Sequence, residues 1–384
     1  MSLTPTLLAA IPFAVWLYLF FVRGNFWQVH EDSSEPKPPK RWPRVVAIAP
    51  ARDEAETIAR SVTSLAKQNY PGESSVVVVD DHSSDGTAEL ARRAADEAGA
   101  ARRVTVHSSG ELPPGWTGKL WAMNEGLSAV RDQAPEYFWF ADADIEQAPD
   151  TLRRLVCRAE QDSLDLASLM VFLPVENLPE RLLIPPFLYF FLMLYPPTWV
   201  ADPHSRTAAA AGGSILLRRE ALERIGGMAA IRSEVIDDCA LAAAVKQSGG
   251  KIWLGLTRTS VSLRRYARFA EIRDLIARAA FSELRYSFFL LLGSLAGLFV
   301  AYLLPWVLFF AYPGEAWLLV DTTVALMAAS FVGTVKFYGL SWLWALTLPV
   351  AVLFYAYATC VSAVRYWLGR GGQWKGRAQA PRKH

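Results

Sequence analysis

The chain has little cysteine and almost no net charge, and both facts narrow its chemistry. Its 384 residues include three cysteines, Cys157, Cys239 and Cys360, without CxxC or metal-ligand spacing. This pattern predicts ordinary reduced thiols, as in a cytosolic domain, and gives no support to a disulfide framework or a zinc site. The formal net charge of +2 gives no indication of a nucleic-acid partner.

Several nucleotide-binding and metal-binding loops are also missing. No GxGxxG follows a predicted strand, so a dinucleotide site is unsupported. The run Gly115–Leu120 resembles a P-loop, but Pro113 stands at the first glycine position and leucine replaces the serine or threonine after the lysine. The stretch Asp142–Asp144 does not continue as an EF-hand, because Gln147 stands where that loop requires glycine.

Apolar residues are abundant, at 52% of the chain, and the long runs lie at its two ends. Leu3–Val22 is long enough to span a bilayer. No lysine or arginine precedes this run and Arg23 follows it, so we expect an uncleaved anchor over residues 1–23 and not a signal peptide. Further runs that are long enough to cross lie within residues 288–364: Phe288–Tyr312, Ala316–Val335 and Leu340–Val364.

The distribution of basic residues gives conflicting information about topology. Arg23 and the basic linker after it place the central domain in the cytoplasm by the positive-inside rule. Three full crossings near the C-terminus would then place the basic tail, residues 365–384, on the other side, against the same rule. Either one run does not cross or the tail breaks the rule, and the sequence leaves both possibilities open.

Between the apolar ends, the pattern predicts an α/β domain over residues 45–268. Residues 24–44 are rich in proline and charge and predict a linker. Strand and helix patterns then alternate, which is typical of a doubly wound, mostly parallel sheet. We expect Asp53 to cap the first helix of this domain, which would run to about Gln68.

Two further segments are predicted to be helical and membrane-associated. The apolar segment 182–200 has a proline pair near each end, which predicts a short helix between two breaks. A core helix of the α/β domain is the alternative. Residues 269–287 form an amphipathic pattern that predicts an interfacial helix leading into the membrane.

Two apolar runs in the central domain end in carboxylate pairs. Val76–Val79 precedes Asp80 and Asp81, and Tyr137–Phe140 precedes Asp142 and Asp144 after one alanine. Continuous apolar runs are typical of strands buried on both faces, and open α/β sheets bind ligands at the carboxyl ends of their strands. Four carboxylates at one edge repel one another, so we expect Mg²⁺ or Mn²⁺ there.

Five ordered motifs over most of residues 45–266 resemble those of family 2 glycosyltransferases. They are Pro50–Glu54, Val79–Thr87, Gly118–Lys119 with Asn124, Asp142–Asp144 and Asp237–Asp238. The resemblance implies a GT-A fold, a nucleotide-sugar donor, a divalent metal ion and inversion at the anomeric carbon. It also implies a catalytic domain on the cytoplasmic side of a bacterial inner membrane, within the transmembrane architecture predicted above.

Carried over position by position, the resemblance assigns the donor side of the site. Pro50, Arg52 and Glu54 would lie beside the nucleoside. Asp80 and Asp81 would belong to the same donor site, and Asp81 would hydrogen-bond the base, usually uracil. The donor implied is therefore a UDP-sugar. The alternative for the two aspartates is a turn that caps the helix beginning near Thr87.

The resemblance also assigns the reacting centre. Lys119 would lie near the donor phosphates, and Asp142 and Asp144 match the DxD motif, with Asp144 as the direct metal ligand. Asp238 matches the catalytic base, and Asp237 replaces the usual glutamate before it. Both acids begin a predicted helix, where they are also common as caps.

The segment before the membrane runs departs from the pattern of processive synthases. Those enzymes carry QxxRW, and this chain has Ser282–Tyr286, with serine and tyrosine at the two ends. Arg285 is retained and is implied to face the donor phosphates. The departure argues against a long-chain polymerase and favours transfer of a single sugar to a lipid.

A narrower resemblance concerns the acceptor. Four segments, together with both membrane ends, resemble bacterial hopanoid-biosynthesis-associated glycosyltransferases: Gly115–Gly126, Ala141–Pro149, Ile236–Lys246 and Ile252–Thr257. A hopanoid-type membrane lipid is therefore the implied partner. The alternatives are a polyprenyl phosphate or a ceramide-like acceptor, or a non-catalytic membrane scaffold of a lipid pathway.

Overall fold

The computed structural model describes residues 3–32, 34–311, 317–371, 373–374 and 377–378. The expected basic tail lies mostly outside these residues, as do Tyr312 and Ala316 at the ends of two apolar runs. The chain divides into two compact units. The sheet unit comprises residues 31–174, 199–265 and 372–384, and the helical unit comprises residues 1–30, 175–198 and 266–371.

The strands of the sheet unit form one mixed sheet of eight strands in the order β3-β2-β1-β4-β7-β6-β8-β5. Their bounds are β1 Val45–Ala51, β2 Ser74–Asp80, β3 Val104–Ser108, β4 Tyr137–Phe140, β5 Ile145–Glu146, β6 Leu166–Phe172, β7 Ile215–Arg218 and β8 Ile252–Ser262. The pairs β1–β2, β1–β4, β2–β3 and β6–β8 are parallel. The strand β7 pairs antiparallel with β4 and β6, and β5 pairs antiparallel with β8. The mostly parallel sheet that the sequence predicts is therefore confirmed. Two short strands, β9 Gln373–Trp374 and β10 Arg377–Ala378, pair separately.

The helices alternate with the strands in the first half of the sheet unit and dominate the helical unit. Their bounds are α1 Leu3–Phe21, α2 Ile58–Ala66, α3 Thr87–Glu97, α4 Gly118–Ala129, α5 Thr151–Asp162, α6 Leu178–Leu194, α7 Pro197–Ala201, α8 Arg219–Arg224, α9 Asp237–Gln247, α10 Phe269–Glu283, α11 Phe288–Leu298, α12 Leu304–Ala311, α13 Trp317–Phe337 and α14 Leu348–Trp367.

The core of the sheet unit explains why its strands are apolar throughout. All seven residues of β1 and all four of β4 are buried. The helix α2 packs Ile58, Val62 and Leu65 into the same cluster. Each such side chain contributes about 1.5–3 kcal/mol when fully buried. The one polar atom of the buried Trp139 side chain is satisfied, because its indole N–H donates to Ser214 Oγ at 2.9 Å.

The expectation that Asp53 caps α2 is wrong. The helix begins at Ile58, and Thr57 is at its N-cap position. Asp53 lies in a tight turn with a φ of 49°, and its Oδ1 accepts the backbone N–H of Ser84 at 2.8 Å. Its carboxylate therefore joins the loop after β1 to the loop after β2 and does not cap a helix.

Residues 31–41, which we call the strap, are held against the sheet unit although their composition predicts a linker. The backbone N–H of Asp32 donates to the carbonyl of Leu256 at 3.0 Å. Its carboxylate accepts from Arg158 Nη2, at 2.9 Å for Oδ1 and 3.1 Å for Oδ2. The Arg258 N–H donates to Glu31 Oε1 at 2.8 Å. The strap is thus attached to residues that lie far along the chain.

In the helical unit, α6 continues through Pro185 and Pro186, where we expected a break, and ends at Leu194, before the second expected break at Pro196 and Pro197. It begins with a capping box formed by Asn177 and Glu180. Prolines remove backbone donors from a helix, but a helix packed among other helices retains its conformation through tertiary contacts. Tyr189 supplies such a contact, since its hydroxyl lies 2.9 Å from Ser330 Oγ on α13. The segment therefore packs against the apolar helices, and not in the core of the sheet unit.

Three helical stretches are long and apolar enough to cross a membrane: Phe288–Ala311, Trp317–Phe337 and Trp342–Trp367. At the N-terminus, the apolar helix found among the described residues is shorter, Thr6–Phe21. The first stretch contains one π-helical turn, Phe299–Leu303, just before Pro305. In a regular α-helix the carbonyl of Ala301 would accept from residue 305, and proline has no N–H to give. Trp16 supplies the donor instead, with its indole N–H 2.7 Å from that carbonyl.

The amphipathic helix α10 lies along the C-terminal part of α14. Ser362 Oγ accepts the N–H of Phe281 at 3.1 Å and donates to the carbonyl of Ala277 at 2.5 Å. Arg365 Nη2 lies 2.6 Å from Asp274 Oδ1. The end of α14 is thereby fixed beside the helix that precedes the first apolar stretch.

Candidate active site

The acid-ended strands bring their carboxylates to one edge of the sheet, as the sequence predicts. Ala51 at the end of β1 is paired with Asp80 at the end of β2. On the other side of β1, the N–H of Ala141 donates to the carbonyl of Ile48 at 3.2 Å, directly before Asp142. Parallel pairing of β2, β1 and β4 therefore places the acids at the carboxyl edge, where α/β sheets bind ligands.

Asp81 is the most deeply buried acid of this edge, with a side chain that is 0% exposed. Its Oδ1 accepts the Ser109 hydroxyl at 3.0 Å, and its Oδ2 lies 3.6 Å from Arg52 Nη1. The same guanidinium also donates to the backbone carbonyl of Asp81. Arg52 therefore connects the loop after β1 to the acid after β2.

Asp80 lies beside it with one carboxylate oxygen only weakly engaged and the other unengaged. Its Oδ2 is 3.4 Å from the N–H of Ser83. Its Oδ1 is buried and, within the described part of the chain, accepts no hydrogen bond. Buried carboxylate oxygens nearly always have a partner, so this atom indicates a donor from outside the protein.

Lys119, on the first turn of α4, joins two motifs that are distant in sequence. Its ammonium lies 2.9 Å from Asp142 Oδ1 and 3.0 Å from Asp237 Oδ2. Burial lowers the pKa of Lys119, but the carboxylates of Asp142, Asp237 and Asp238 outweigh burial and raise that pKa above the ordinary lysine value. The lysine therefore stays charged and neutralises part of a strongly acidic cluster.

Gly212 lies at the centre of this cluster. A Cβ at this position would lie 3.2 Å from Lys119 Nζ, 3.4 Å from Asp142 Oδ2 and 3.5 Å from Asp238 Oδ2. The three charged groups thus surround one point, and the missing side chain leaves room there. The N–H of Gly212 also donates to Asp238 Oδ2 at 2.9 Å.

Asp238 is held by backbone groups at the start of α9. Besides the contact from Gly212, its Oδ1 accepts the N–H of Cys239 at 2.8 Å. Burial and the adjacent Asp237 raise the pKa of Asp238 to about 6, against the opposite effect of Lys119 and of the two N–H groups. A carboxylate with such a pKa is a better proton acceptor near neutral pH than an ordinary aspartate.

Asp144 and Glu54 share one guanidinium. Arg264 Nε lies 3.0 Å from Asp144 Oδ2, and Arg264 Nη2 lies 3.0 Å from Glu54 Oε1. The hydroxyl of Thr57 donates to Glu54 Oε2 at 3.2 Å. Asp144 itself is positioned by pairing of β5 with β8, because Leu263 donates its N–H to the carbonyl of Asp144 at 2.7 Å.

Two of the sequence-predicted residues, Pro50 and Arg285, are not among the charged contacts described above. Pro50 lies inside β1 as a buried strand residue that is paired with Val79. Arg285 belongs to the helical unit, in the turn between α10 and α11, where it and Tyr286 both have positive φ, at 50° and 56°. Its assignment to the donor phosphates stays a prediction.

Three residues of the cluster were not predicted from sequence. Gly212 follows a run of alanines, and that alanine–glycine run was the signal available for it. Ser109 and Arg264 carry no local signal, because β3 and β8 bring them to the edge from distant parts of the chain.

Comparisons with known proteins show the family and the fold of the chain. The sequence profile described as "Glycosyl transferase family 2" matches residues 46–237, half of the chain. An N-acetylglucosaminyltransferase from Mesorhizobium japonicum is 26% identical over 194 residues, which are 49% of this chain. The matched part covers 40% of that relative's length. A mannosyltransferase from Pyrobaculum calidifontis, solved in complex with GDP-Man and Mn²⁺, aligns with a TM-score of 0.59 at 22% identity, covering 94% of this chain and 97% of that one.

Proposed function

Because this chain belongs to glycosyl transferase family 2 and its sheet unit has a GT-A-like fold, we propose that it transfers one sugar from a nucleotide-sugar to a membrane lipid. The proposed donor is a UDP-sugar, the acceptor is a lipid hydroxyl of the hopanoid type, and the anomeric carbon is inverted. The observation that carries the proposal is the cluster in which Lys119 joins Asp142 to Asp237, beside Asp238.

Asp238 has the properties that a general base needs for this reaction. It would accept the proton of the lipid hydroxyl while the hydroxyl oxygen attacks the anomeric carbon and the nucleoside diphosphate leaves from the opposite face. Its two backbone donors fix the carboxylate, and its raised pKa favours proton uptake. General bases in such positions contribute about 10²–10⁴-fold to a rate.

The donor side of the site is compatible with a nucleoside. Asp81 is buried and oriented by Ser109 and Arg52, so it presents an acceptor in a fixed direction. Uracil and ribose both offer N–H or O–H donors to such groups. Asp80 Oδ1, a buried oxygen that accepts no hydrogen bond within the described residues, is a second acceptor for the same ligand.

The residues that would hold a divalent cation are Asp142 and Asp144. In the described residues, no group of three or more histidine, cysteine, aspartate or glutamate side chains is arranged around a common metal position. The two aspartates fit Mg²⁺ or Mn²⁺ bound together with a nucleotide, because such ions use one or two carboxylates plus substrate phosphates. Each of the two carboxylates is paired with a cationic side chain, Lys119 or Arg264. When bound, the cation would stabilise the negative charge on the leaving diphosphate.

The acceptor class is supported by the rest of the chain. The catalytic domain shares its polypeptide with three helical stretches that are long and apolar enough to cross a membrane. A lipid hydroxyl is the acceptor that such a chain would meet. The resemblance to hopanoid-associated enzymes supports a polycyclic triterpenoid or a related lipid as the acceptor.

The proposal is tested by calorimetry on the detergent-purified full chain with UDP-, GDP- and dTDP-sugars, with and without Mn²⁺. We expect metal-dependent binding of a UDP-sugar that Asp144→Ala abolishes. Asp96→Ala removes an exposed aspartate of α3 and serves as the matched control. Asp238→Asn should keep donor binding and lose transfer to a lipid hydroxyl.

The other outcomes separate the alternatives. Full transfer by Asp238→Asn to a polyprenyl phosphate would favour that acceptor, because an ionised phosphate needs no base to remove a proton. Failure of the folded protein to bind any of the three nucleotide-sugars would contradict the transferase proposal and favour a scaffold.

A further inference from the structure

Arg264 is paired with Asp144, one of the two carboxylates that would hold a divalent cation. Its guanidinium bridges Asp144 Oδ2, 3.0 Å from Nε, and Glu54, whose two oxygens lie 3.0 Å and 3.3 Å from Nη2. Both acids are largely buried, with side chains 19% and 12% exposed. Charge-assisted pairs of this kind are shorter and stronger than neutral hydrogen bonds. The guanidinium therefore holds the DxD aspartate in a closed ion pair.

A divalent cation at Asp144 would share the carboxylate with this guanidinium, which already engages Oδ2. Two positive groups on one carboxylate repel each other, and the repulsion is strong where water is partly excluded. Binding of the cation to Asp144, at Oδ2 or at the neighbouring Oδ1, is therefore opposed as long as Arg264 stays in place. The side chain of Arg264 is 37% exposed, so it has solvent to move into, whereas that of Lys119 on the other DxD aspartate is 18% exposed.

The displaced guanidinium needs another anion. Arginine pairs with phosphate through two parallel hydrogen bonds, and a nucleoside diphosphate would bring phosphate to this edge of the sheet. A nucleoside diphosphate, which needs the metal ion, would therefore also bind Arg264 and release Asp144 for that ion.

We propose that Arg264 gates the divalent-cation site, so that the protein alone binds the cation weakly and a nucleoside diphosphate promotes cation binding by accepting the guanidinium. This inference rests on the proposed function and adds an order of binding to it. The nucleotide and the metal ion bind together, and the metal ion does not bind first. The coupling is reciprocal, so the cation strengthens nucleotide binding by the same factor.

The test measures Mn²⁺ binding to the purified full chain by the loss of the free-ion signal in electron paramagnetic resonance, without turnover. The proteins are the parent chain, Arg264→Gln, Arg264→Lys and Arg258→Gln. Arg258 is an exposed arginine of β8, the strand that precedes Arg264, and its guanidinium lies over the Phe172 ring, so it is the matched control. Each protein is measured with Mn²⁺ alone and with Mn²⁺ plus UDP.

We expect Arg264→Gln to bind Mn²⁺ alone at least tenfold more tightly than the parent chain. UDP should tighten Mn²⁺ binding at least tenfold in the parent, in Arg264→Lys and in Arg258→Gln, and by much less in Arg264→Gln. Circular dichroism establishes that each variant is folded.

Equal Mn²⁺ affinity of the parent and Arg264→Gln in the absence of nucleotide would overturn the gate, as would weaker or absent binding by Arg264→Gln. Failure of the proposed function looks different, because UDP would then change Mn²⁺ binding in no protein of the set and calorimetry would find no binding of UDP-, GDP- or dTDP-sugars. In that case the nucleotide-free comparison still decides whether Arg264 holds the cation site closed.

Discussion

At the scale of single residues, Asp238 shows how neighbours set the chemistry of one carboxylate. Burial and Asp237 raise its pKa to about 6. Since a base reacts only when ionised, lowering the pH through this value removes the reactive form. We expect kcat/KM to fall about tenfold per pH unit below pH ~6, and Asp238→Asn to lose roughly 10²-fold or more.

Initial rates of transfer between about pH 4.5 and about pH 8 would check this dependence, because kcat/KM reports groups of the free enzyme. Ellipticity at each pH shows whether the fold persists. A profile that stays flat down to about pH 4.5 in folded protein would contradict the role of Asp238 as base.

Gly212 provides the second residue-scale prediction. Gly212→Ala would place a methyl group 3.2 Å from Lys119 Nζ, closer than most Cβ contacts, and 3.4 Å from Asp142 Oδ2, at the limit of ordinary contact. We expect kcat/KM to fall at least about tenfold because the charged groups are displaced, with a change in unfolding free energy below about 1 kcal/mol. Gly293→Ala, where a Cβ would meet nothing within 4 Å, is the control. Steady-state kinetics and urea unfolding measure the two effects, and unchanged kinetics would show that the cluster tolerates the methyl group.

At the scale of elements, the N-terminal helix is tied to the first apolar stretch by one hydrogen bond. The indole of Trp16 donates to the carbonyl of Ala301, whose normal helical partner is replaced by Pro305. We expect Trp16→Phe to lower stability in detergent by about 1 kcal/mol beyond the loss of packing. In a Pro305→Ala background the carbonyl regains a backbone donor, so the same substitution should cost less.

A double-mutant cycle of thermal or denaturant unfolding in detergent measures this difference. The coupling between positions 16 and 305 should be favourable and close to the hydrogen-bond value. A Trp16→Phe cost that is identical in both backgrounds would mean that the indole stabilises the unit by packing alone.

The elements also show what could be predicted from the sequence and what could not. The strands β1, β2 and β4 are buried on both faces, so their continuous apolar runs, and the acids after β2 and β4, were predictable. The strand β7 was not, because its four residues pair antiparallel with β4 and β6, and local periodicity does not report such pairing. Arg264 was missed for the same reason, since its place depends on pairing of β8 with β5. Pro185 and Pro186 misled the prediction because tertiary contacts outweigh helix propensity.

At the scale of the whole molecule, contacts within the helical unit indicate how many of its helices cross the membrane. The ring of Trp367, the last residue of α14, lies with its centroid 6.2 Å from that of Phe288, the first residue of α11. If the stretch of α11 and α12 crosses once and α13 crosses back, the chain is on this face again at the end of α13. A crossing by α14 would place its end on the far face. We therefore expect α14 not to cross, so that the tail is on the side from which α11 starts, as the positive-inside rule requires.

Cysteine labelling in intact cells would test this topology. In a background without native cysteines, Trp317→Cys should react with a membrane-impermeant maleimide, whereas Arg370→Cys should react only after permeabilisation. Asp96→Cys reports the side of the sheet unit and should behave like Arg370→Cys. Labelling of Arg370→Cys from outside would mean that α14 crosses.

The strap is the second whole-molecule feature with a measurable role. Asp32→Ala removes the carboxylate that pairs with Arg158, whose side chain is 16% exposed. A lost hydrogen bond to a charged group costs about 1–3 kcal/mol, so we expect the sheet unit to be destabilised by that amount. Trypsin should also cut faster after Lys40 and Arg41. Asp96→Ala is the control, and equal cleavage rates in all three proteins would show that the strap is held by other contacts.

The contacts of the strap also determine when it can dock during synthesis of the chain. Asp32 leaves the ribosome early, but Arg158 follows 126 residues later and the carbonyl of Leu256 about 220 residues later. At 5–20 residues per second, about 10–45 s pass before the strap can dock. Nascent chains stalled before residue 256 would therefore carry an undocked strap. The strap is synthesised before the rest of the sheet unit but is among the last parts to make its contacts. A chain that ends before residue 256 therefore lacks a contact of Asp32, near its beginning.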